Sequence, residues 1–261
     1  MTPATVDTAS LILRLRAAGC VFAEEEAAIL ESVTDDAVEL DALCLRRERG
    51  EPLEHLVGWV DFGGLRLTVG PGVFIPRQRS LFLAGLAVEA SRAFDSPLVH
   101  EAFCGAAPLA SWVRHHVPGA RLQASDVDPV SLGFARRNLG EEAELFEGPG
   151  LTAIPAKHRG RIDVLAAVPP YVPLAEAEFM PHESREHEPG AAVFAGEDGL
   201  DFVRELMRDV GAWLSPGGRL LLELNRHQLP AAVAAAGDVG LAARGELSDD
   251  GQTAVVVAHR R

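Results

Sequence analysis

Val168-Pro169-Pro170-Tyr171 follows a nearly continuous apolar run that begins at Ile162, and its chemistry is that of a hydrogen-bond acceptor site. Consecutive prolines remove two backbone donors and leave carbonyl oxygens free, and the tyrosine ring offers a flat face to a planar group. Asp126 ends a second β-rich run, Arg121 to Ser125, where a carboxylate can accept from both hydroxyls of a ribose. Glu101 to Gly105 follows a third, which opens at Leu98, and Gly105 lets the backbone pass close to a ligand. Each stretch has a plainer reading when taken alone. Gly105 could serve a tight turn, Asp126 with Asp128 a helix N-cap, and Pro169-Pro170-Tyr171 a surface turn. All three occur in order behind apolar strands, and open α/β sheets collect ligands at the carboxyl ends of their strands. That combination points to one ligand site.

Other chemistries find little support. His115-His116 falls in a helical region, and His182, Glu183 and His187 fall in a charged loop with no zinc-ligand spacing, so no metal site is expected. There is no G-x-S-x-G nucleophile elbow and no P-loop. Glu101 and Asp126 could be drawn as a general acid/base pair, but their places after adjacent strands suit cofactor binding better. Cys20, Cys44 and Cys104 lie far apart and read as buried thiols in a reducing compartment. The net charge of −14 argues against a nucleic-acid partner, and the arginines at 46, 47 and 49 are interleaved with acids. No leader-like start or membrane-length apolar run is present, so a cytoplasmic location is expected.

The elements that must position these residues divide the chain. Leu11, Leu15 and Ala18 share one face of a helix that Gly19 can end, and Glu24-Glu25-Glu26 suits the first turn of a second helix carrying Ala27 and Leu30. A third starts near Asp35 or Asp36 and runs through Val38, Leu40, Leu43 and Leu45 to Gly50. Trp59 to Val69 alternates around Gly63-Gly64 as a β-hairpin should. From Val73 onward strands and helices alternate. Helices are expected over Leu81–Ala90, around Trp112, through Phe134 and Ala135, over Leu200–Trp213 and over Ala231–Ala236. Strands are expected over Leu98–Phe103, Arg121–Ser125, Ile162–Val168, Arg219–Leu224 and Thr253–Ala258, with Gly217-Gly218 as a turn. This alternation indicates a doubly wound α/β sheet.

Several of these segments carry a resemblance. Arg46 to Leu53 with Leu56-Val57-Gly58, Phe74-Ile75-Pro76-Arg77, Asp126 through Asn138, Glu183 to Pro189, Gly196 to Asp201, and Pro216-Gly217-Gly218 with Glu223 and Gln228 together resemble the release-factor glutamine methyltransferase family. The resemblance implies a seven-stranded Rossmann-like class I methyltransferase sheet over 73–261. It also implies a small helical substrate-recognition domain over 1–56 and a linking hairpin over 57–72. The implied methyl donor is S-adenosylmethionine, held by Arg77, Glu101, Phe103, Gly105, Ala107, Asp126 and Val127. Asp126 would take the ribose, and Glu101, Phe103 and Gly105 would line the amino-acid part. The implied acceptor is a glutamine amide of a peptide-chain release factor or another protein, held at Val168, Pro169, Pro170 and Tyr171. Transfer would proceed by positioning and electrostatics, without a metal.

The chain departs from the family pattern where it matters. Val168 stands at the position of an asparagine and cannot accept a hydrogen bond, and Ala107 stands for a glycine. Leu81 replaces a glutamate, Pro149 lies near an expected acid, and Asn225 replaces a glycine. Two other outcomes are therefore open: a donor-binding relative with weak or no catalysis, and a methyltransferase with a different small-molecule or nucleic-acid amine acceptor.

Overall fold

The computed structural model describes residues 7–173 and 195–260; His182, His187 and the stretch from Glu183 to Pro189 lie outside them. The chain opens with α1 (Thr8–Ala17), α2 (Ala23–Glu31), α3 (Ala37–Glu48) and the short α4 (Leu53–Val57). Asp7 caps α1 through the Ala9 amide, and Asp36 caps α3 through the amides of Val38 and Glu39. Leu11, Leu15, Ala23, Ala27, Leu30, Leu40, Leu43 and Cys44 form a small core of their own. Three apolar residues of the expected helix patterns are solvent-facing: Ala18, Val38 and Leu45. Ala18 lies past the end of α1, and the buried stripe of α3 passes through Leu40, Leu43 and Cys44.

The hairpin pairs β1 (Trp59–Phe62) with β2 (Leu65–Thr68), and Gly63 and Gly64 both take left-handed dihedrals, as a type I′ turn requires. A side chain at Gly63 would strike the Trp112 ring and Leu81, so the turn sits directly on the helices beneath it.

Seven strands form the main sheet: β3 (Leu98–Ala102), β4 (Arg121–Asp126), β5 (Glu144–Glu147), β6 (Ile162–Ala167), β7 (Leu214–Asn225), β8 (Leu241–Leu247) and β9 (Thr253–Arg260). Their order is β5-β4-β3-β6-β7-β9-β8, parallel except for β9, which runs antiparallel to both neighbours. The short strands β5 and β8 and the helix α4 carry no pattern that the sequence reading detected. Gly217-Gly218 is a correction of a different kind. It lies inside β7, where pairing with β6 slips between Ile162↔Leu214 and Val164↔Arg219, so the glycines make a bulge in one strand.

Helices cover both faces. On one face α5 (Leu81–Ser91), α6 (Pro108–His116), α7 (Pro129–Leu139) and the hairpin bury a core with Val99, Val164, Ala166, Leu221 and Val255. On the other, α8 (Asp201–Val210) and α9 (Leu229–Asp238) cover Leu165, Ala167, Leu220, Leu222 and Val256. The chain leaves β3 toward β4 and β5 in one direction and later builds β6 and β7 in the other. The carboxyl ends of β3 and β6 therefore flank a crevice where the strand order reverses.

Candidate functional site

A cavity of about 850 Å³ opens at that crevice and extends beneath the N-terminal helices. Its wall includes Arg77, Glu101, Phe103, Gly105, Asp126, Val127, Val168, Pro169, Pro170 and Tyr171, so ten of the eleven sequence-proposed site residues converge on one space. Ala107 does not line it. That residue is buried in the core at the start of α6. Leu81 is likewise absent from the wall and sits by the hairpin turn, while Pro149 lines the cavity beside Gly150.

One end is built by the turn after β3. Phe103, Gly105 and Ala107 take φ values of 54, 51 and 58°, so alternate residues wind left-handed. Only one of them is a glycine. The buried Glu101 carboxylate faces the start of α6, accepting from Leu109 N at 3.3 Å and Ala110 N at 2.7 Å. Desolvation pushes its pKa up to about 8, against those two amides, which pull it down. Asp126 accepts from Gly105 N at 2.9 Å through Oδ2 and from Asp128 N at 3.0 Å through Oδ1. It thus ties the end of β4 to the turn. Burial raises its pKa, opposed first by the Gly105 amide. Each of its oxygens still has a second lone pair for a sugar hydroxyl. At Gly105 a Cβ would meet nothing nearer than a Val73 methyl at 4.0 Å, so the backbone is open to close approach. Phe103 stands edge-to-face on Phe202 with ring centroids 5.4 Å apart. An open glycine, a diol-capable carboxylate and the half-exposed Val127 together make this end of the cavity suited to a ribose-bearing ligand.

The other end is the Val168–Tyr171 loop. Pro169 and Pro170 are buried, and Val168 packs partly into the core of the hairpin face. The Tyr171 hydroxyl accepts from Arg79 Nη2 at 2.9 Å and donates to Glu223 Oε1 at 3.4 Å, while Arg79 Nε lies 3.5 Å from the same oxygen. Gln228 Nε2 donates to the carbonyls of Tyr171 at 2.9 Å and Asp198 at 2.8 Å. Gly199 lies so close that a side chain there would strike the Tyr171 carbonyl and the Gln228 amide. Asn225 has φ −71°, so no glycine is needed, and its side chain caps the turn that carries Gln228. Sequence reasoning placed Glu223 and Gln228 in a motif but assigned them no role, and it missed Arg79 altogether. Only the fold reveals that these distant residues meet. The roof, also missed, includes Phe22, Ile29 and Leu53 from the helical region. Among the described residues no group of three His, Cys, Asp or Glu side chains could hold a metal, and no helix is long and apolar enough to cross a membrane.

A curated protein of Streptomyces coelicolor, a release factor glutamine methyltransferase, is 38% identical over 214 residues, covering 77% of this chain and 76% of its own length. The chain belongs to the release factor glutamine methyltransferase family. The enzyme of that name from Deinococcus radiodurans is 37% identical over 188 residues, 71% of this chain and 66% of its own length. A third relative, from Streptomyces pristinaespiralis, is named a 4-amino-L-phenylalanine/4-methylamino-L-phenylalanine methyltransferase; it is 35% identical over 190 residues, covering 70% of this chain and 64% of its own length. No protein-family model matches the chain. Among solved structures, the hMettl16 catalytic domain superposes with a TM-score of 0.59 at 15% identity, over 86% of this chain and 81% of that one. The ribosomal protein L11 methylase of Lactobacillus delbrueckii subsp. bulgaricus gives 0.53 at 17% identity, over 74% and 84%. These likenesses establish the fold as the class I methyltransferase sheet. Family and fold together make the chain an S-adenosylmethionine-dependent methyltransferase. When bound, that donor supplies an electrophilic methyl group on a sulfonium.

Proposed function

We propose that this family member transfers methyl from S-adenosylmethionine to a side-chain nitrogen of a protein, with a release-factor glutamine amide as the acceptor. The observation that carries this reading is the single cavity that joins the Glu101–Asp126 wall to the Val168–Tyr171 loop and then runs out under Phe22 and Ile29. Asp126 holds the donor ribose. Phe103 and Gly105 shape the space for its amino-acid tail, with Glu101 held at the base of that wall, and Arg77 and Val127 flank the cavity. Pro169 and Pro170 supply carbonyl acceptors for the amide, and the Tyr171 ring covers its plane. Positioning of this kind suits a weak nucleophile whose lone pair is delocalised. The helical region, residues 1–56, acts as the protein-recognition domain, with 57–72 as linker and 73–261 as the catalytic domain. Its separate apolar core supports that division.

A second reading is favoured by Val168, which offers no hydrogen bond to an amide. A small aromatic amine needs less help than an amide, and the wall is mostly apolar. The relative from Streptomyces pristinaespiralis, named for such an acceptor, matches at 35% identity.

The deciding experiment incubates purified protein and S-adenosylmethionine with a release factor from the same organism, or with 4-amino-L-phenylalanine, and reads product by mass spectrometry. A methylated glutamine supports the first reading. Methylated amino acid with unmodified release factor replaces it with the second, and no product from either, with donor bound, rejects both.

A further inference from the structure

Position 168 cannot contribute a polar contact, yet the neighbouring strand presents one at the same level. The register pairs Ala167, the last residue of β6, with Leu222, so Val168 leaves the strand end one step past that pair, next to Glu223 on β7, with neighbouring strands about 4.8 Å apart. They also point the same way. Side chains alternate along β6 and β7, and Ala166 and Leu221, each two residues earlier, both face the hairpin-side core that Val168 joins. Glu223 is 1% exposed and forms part of the cavity wall. Tyr171 and Arg79 meet its Oε1 and the Ser80 hydroxyl lies near the carboxylate, whereas Oε2 is buried with no hydrogen-bond partner among the described residues. A buried acceptor without a donor costs about 1–3 kcal/mol, and such an atom in a native site calls for a ligand to supply the donor.

We propose that Glu223 Oε2 holds the methyl-accepting nitrogen, contributing from β7 the acceptor that position 168, just past the end of β6, lacks. This rests on methyl transfer at the Val168–Tyr171 loop and adds the group that orients the nucleophile there. One N–H of the acceptor bonds to Oε2, which leaves the other for a carbonyl of the proline pair. As the nitrogen lone pair forms the new N–CH3 bond, the methyl–sulfur bond breaks with its electrons going to sulfur. The surplus N–H proton passes to Oε2. Burial raises the pKa of Glu223, against Ser80, Arg79 and Tyr171, so the carboxylate is a better proton acceptor than an exposed one. The arrangement serves any acceptor bearing two N–H groups, amide or aromatic amine.

The test uses whichever acceptor the wild-type protein methylates and measures turnover beside calorimetric binding of that acceptor in the presence of S-adenosylhomocysteine. Glu223→Ala should lower turnover by about 10²-fold and weaken acceptor binding, with affinity for S-adenosylhomocysteine unchanged. Glu223→Gln keeps a carbonyl acceptor in the same volume, so it should bind acceptor nearly as wild type while turnover falls. Should the alanine variant fail to fold, the glutamine variant carries the test alone. Val168→Asn should recover part of the loss in the Glu223→Ala background and add less to the wild type. Unchanged turnover and acceptor binding in both Glu223 variants, or an equal gain from Val168→Asn in both backgrounds, overturns the role of Glu223 alone. A wild-type protein that binds and methylates neither acceptor overturns this inference together with the reading beneath it.

Discussion

Ala107 combines a left-handed backbone with a buried methyl side chain. A left-handed φ costs an L-residue about 1–2 kcal/mol, and replacement by glycine removes that cost while adding about 0.5–1 kcal/mol of unfolded-chain entropy. Ala107→Gly should therefore raise unfolding stability in urea by up to about 1 kcal/mol; a loss larger than that would mean the methyl's burial outweighs the strain. Glu101 makes a pH prediction. Its folded pKa of about 8 lies above the ordinary 4.5, so between those values the folded protein holds a proton that the unfolded chain releases. Stability from this residue is thus greatest at the low end of that window and falls as pH rises through it. Glu101→Gln should remove that slope, so wild type gains on the variant as pH is lowered from 8 toward 5. Parallel melting-temperature profiles for the two proteins would show instead that the helix amides keep Glu101 charged.

Asn138 links elements that are distant in sequence. From α7 it donates to Thr68 O at 3.0 Å and Ala106 O at 2.8 Å and accepts from Thr68 N at 2.8 Å, holding the hairpin against the turn that shapes the cavity. Asn138→Ala should cost about 2–4 kcal/mol from three partly buried bonds and speed amide exchange across β1 and β2. Wild-type exchange in the hairpin would mean that Phe62 and Leu67 hold it unaided. The sequence made the larger elements legible because their apolar periodicity is strong, and it grouped Gly105, Asp126 and Pro169, which lie at or just past strand ends and line one cavity. What escaped has physical reasons. β5 is four residues long and only partly buried, and β8 has the half-exposed pattern of a sheet edge with Ala-Ala-Arg-Gly at its centre, so neither alternates cleanly. The motif around Asn138 was visible, but nothing local shows that its amide reaches Thr68. Arg79, Tyr171 and Glu223 meet only through the order of strands, which one-dimensional spacing does not carry.

For the whole molecule, the charge of −14 surrounds a site whose two ligand forms differ in charge. S-adenosylmethionine carries a net positive charge through its sulfonium, whereas S-adenosylhomocysteine is neutral overall. The protein field should accelerate capture of the first and leave the second nearly unaffected. Stopped-flow association of S-adenosylmethionine should therefore slow as salt is raised from low millimolar to half-molar, with little change for S-adenosylhomocysteine. Equal salt sensitivity for both would place the acidic surface too far from the opening to matter.

The position of β9 bears on how the protein is made. Synthesis proceeds from the N-terminus, so a nascent chain that has emerged only to Leu247 possesses β7 and β8 but not the strand that lies between them. Until Thr253–Arg260 arrives, β7 presents an open edge of leucines and β8 has no partner. Such edges invite pairing between neighbouring chains on the same message. A premature stop just before Thr253 should therefore yield insoluble protein even though the cavity-lining residues are already present.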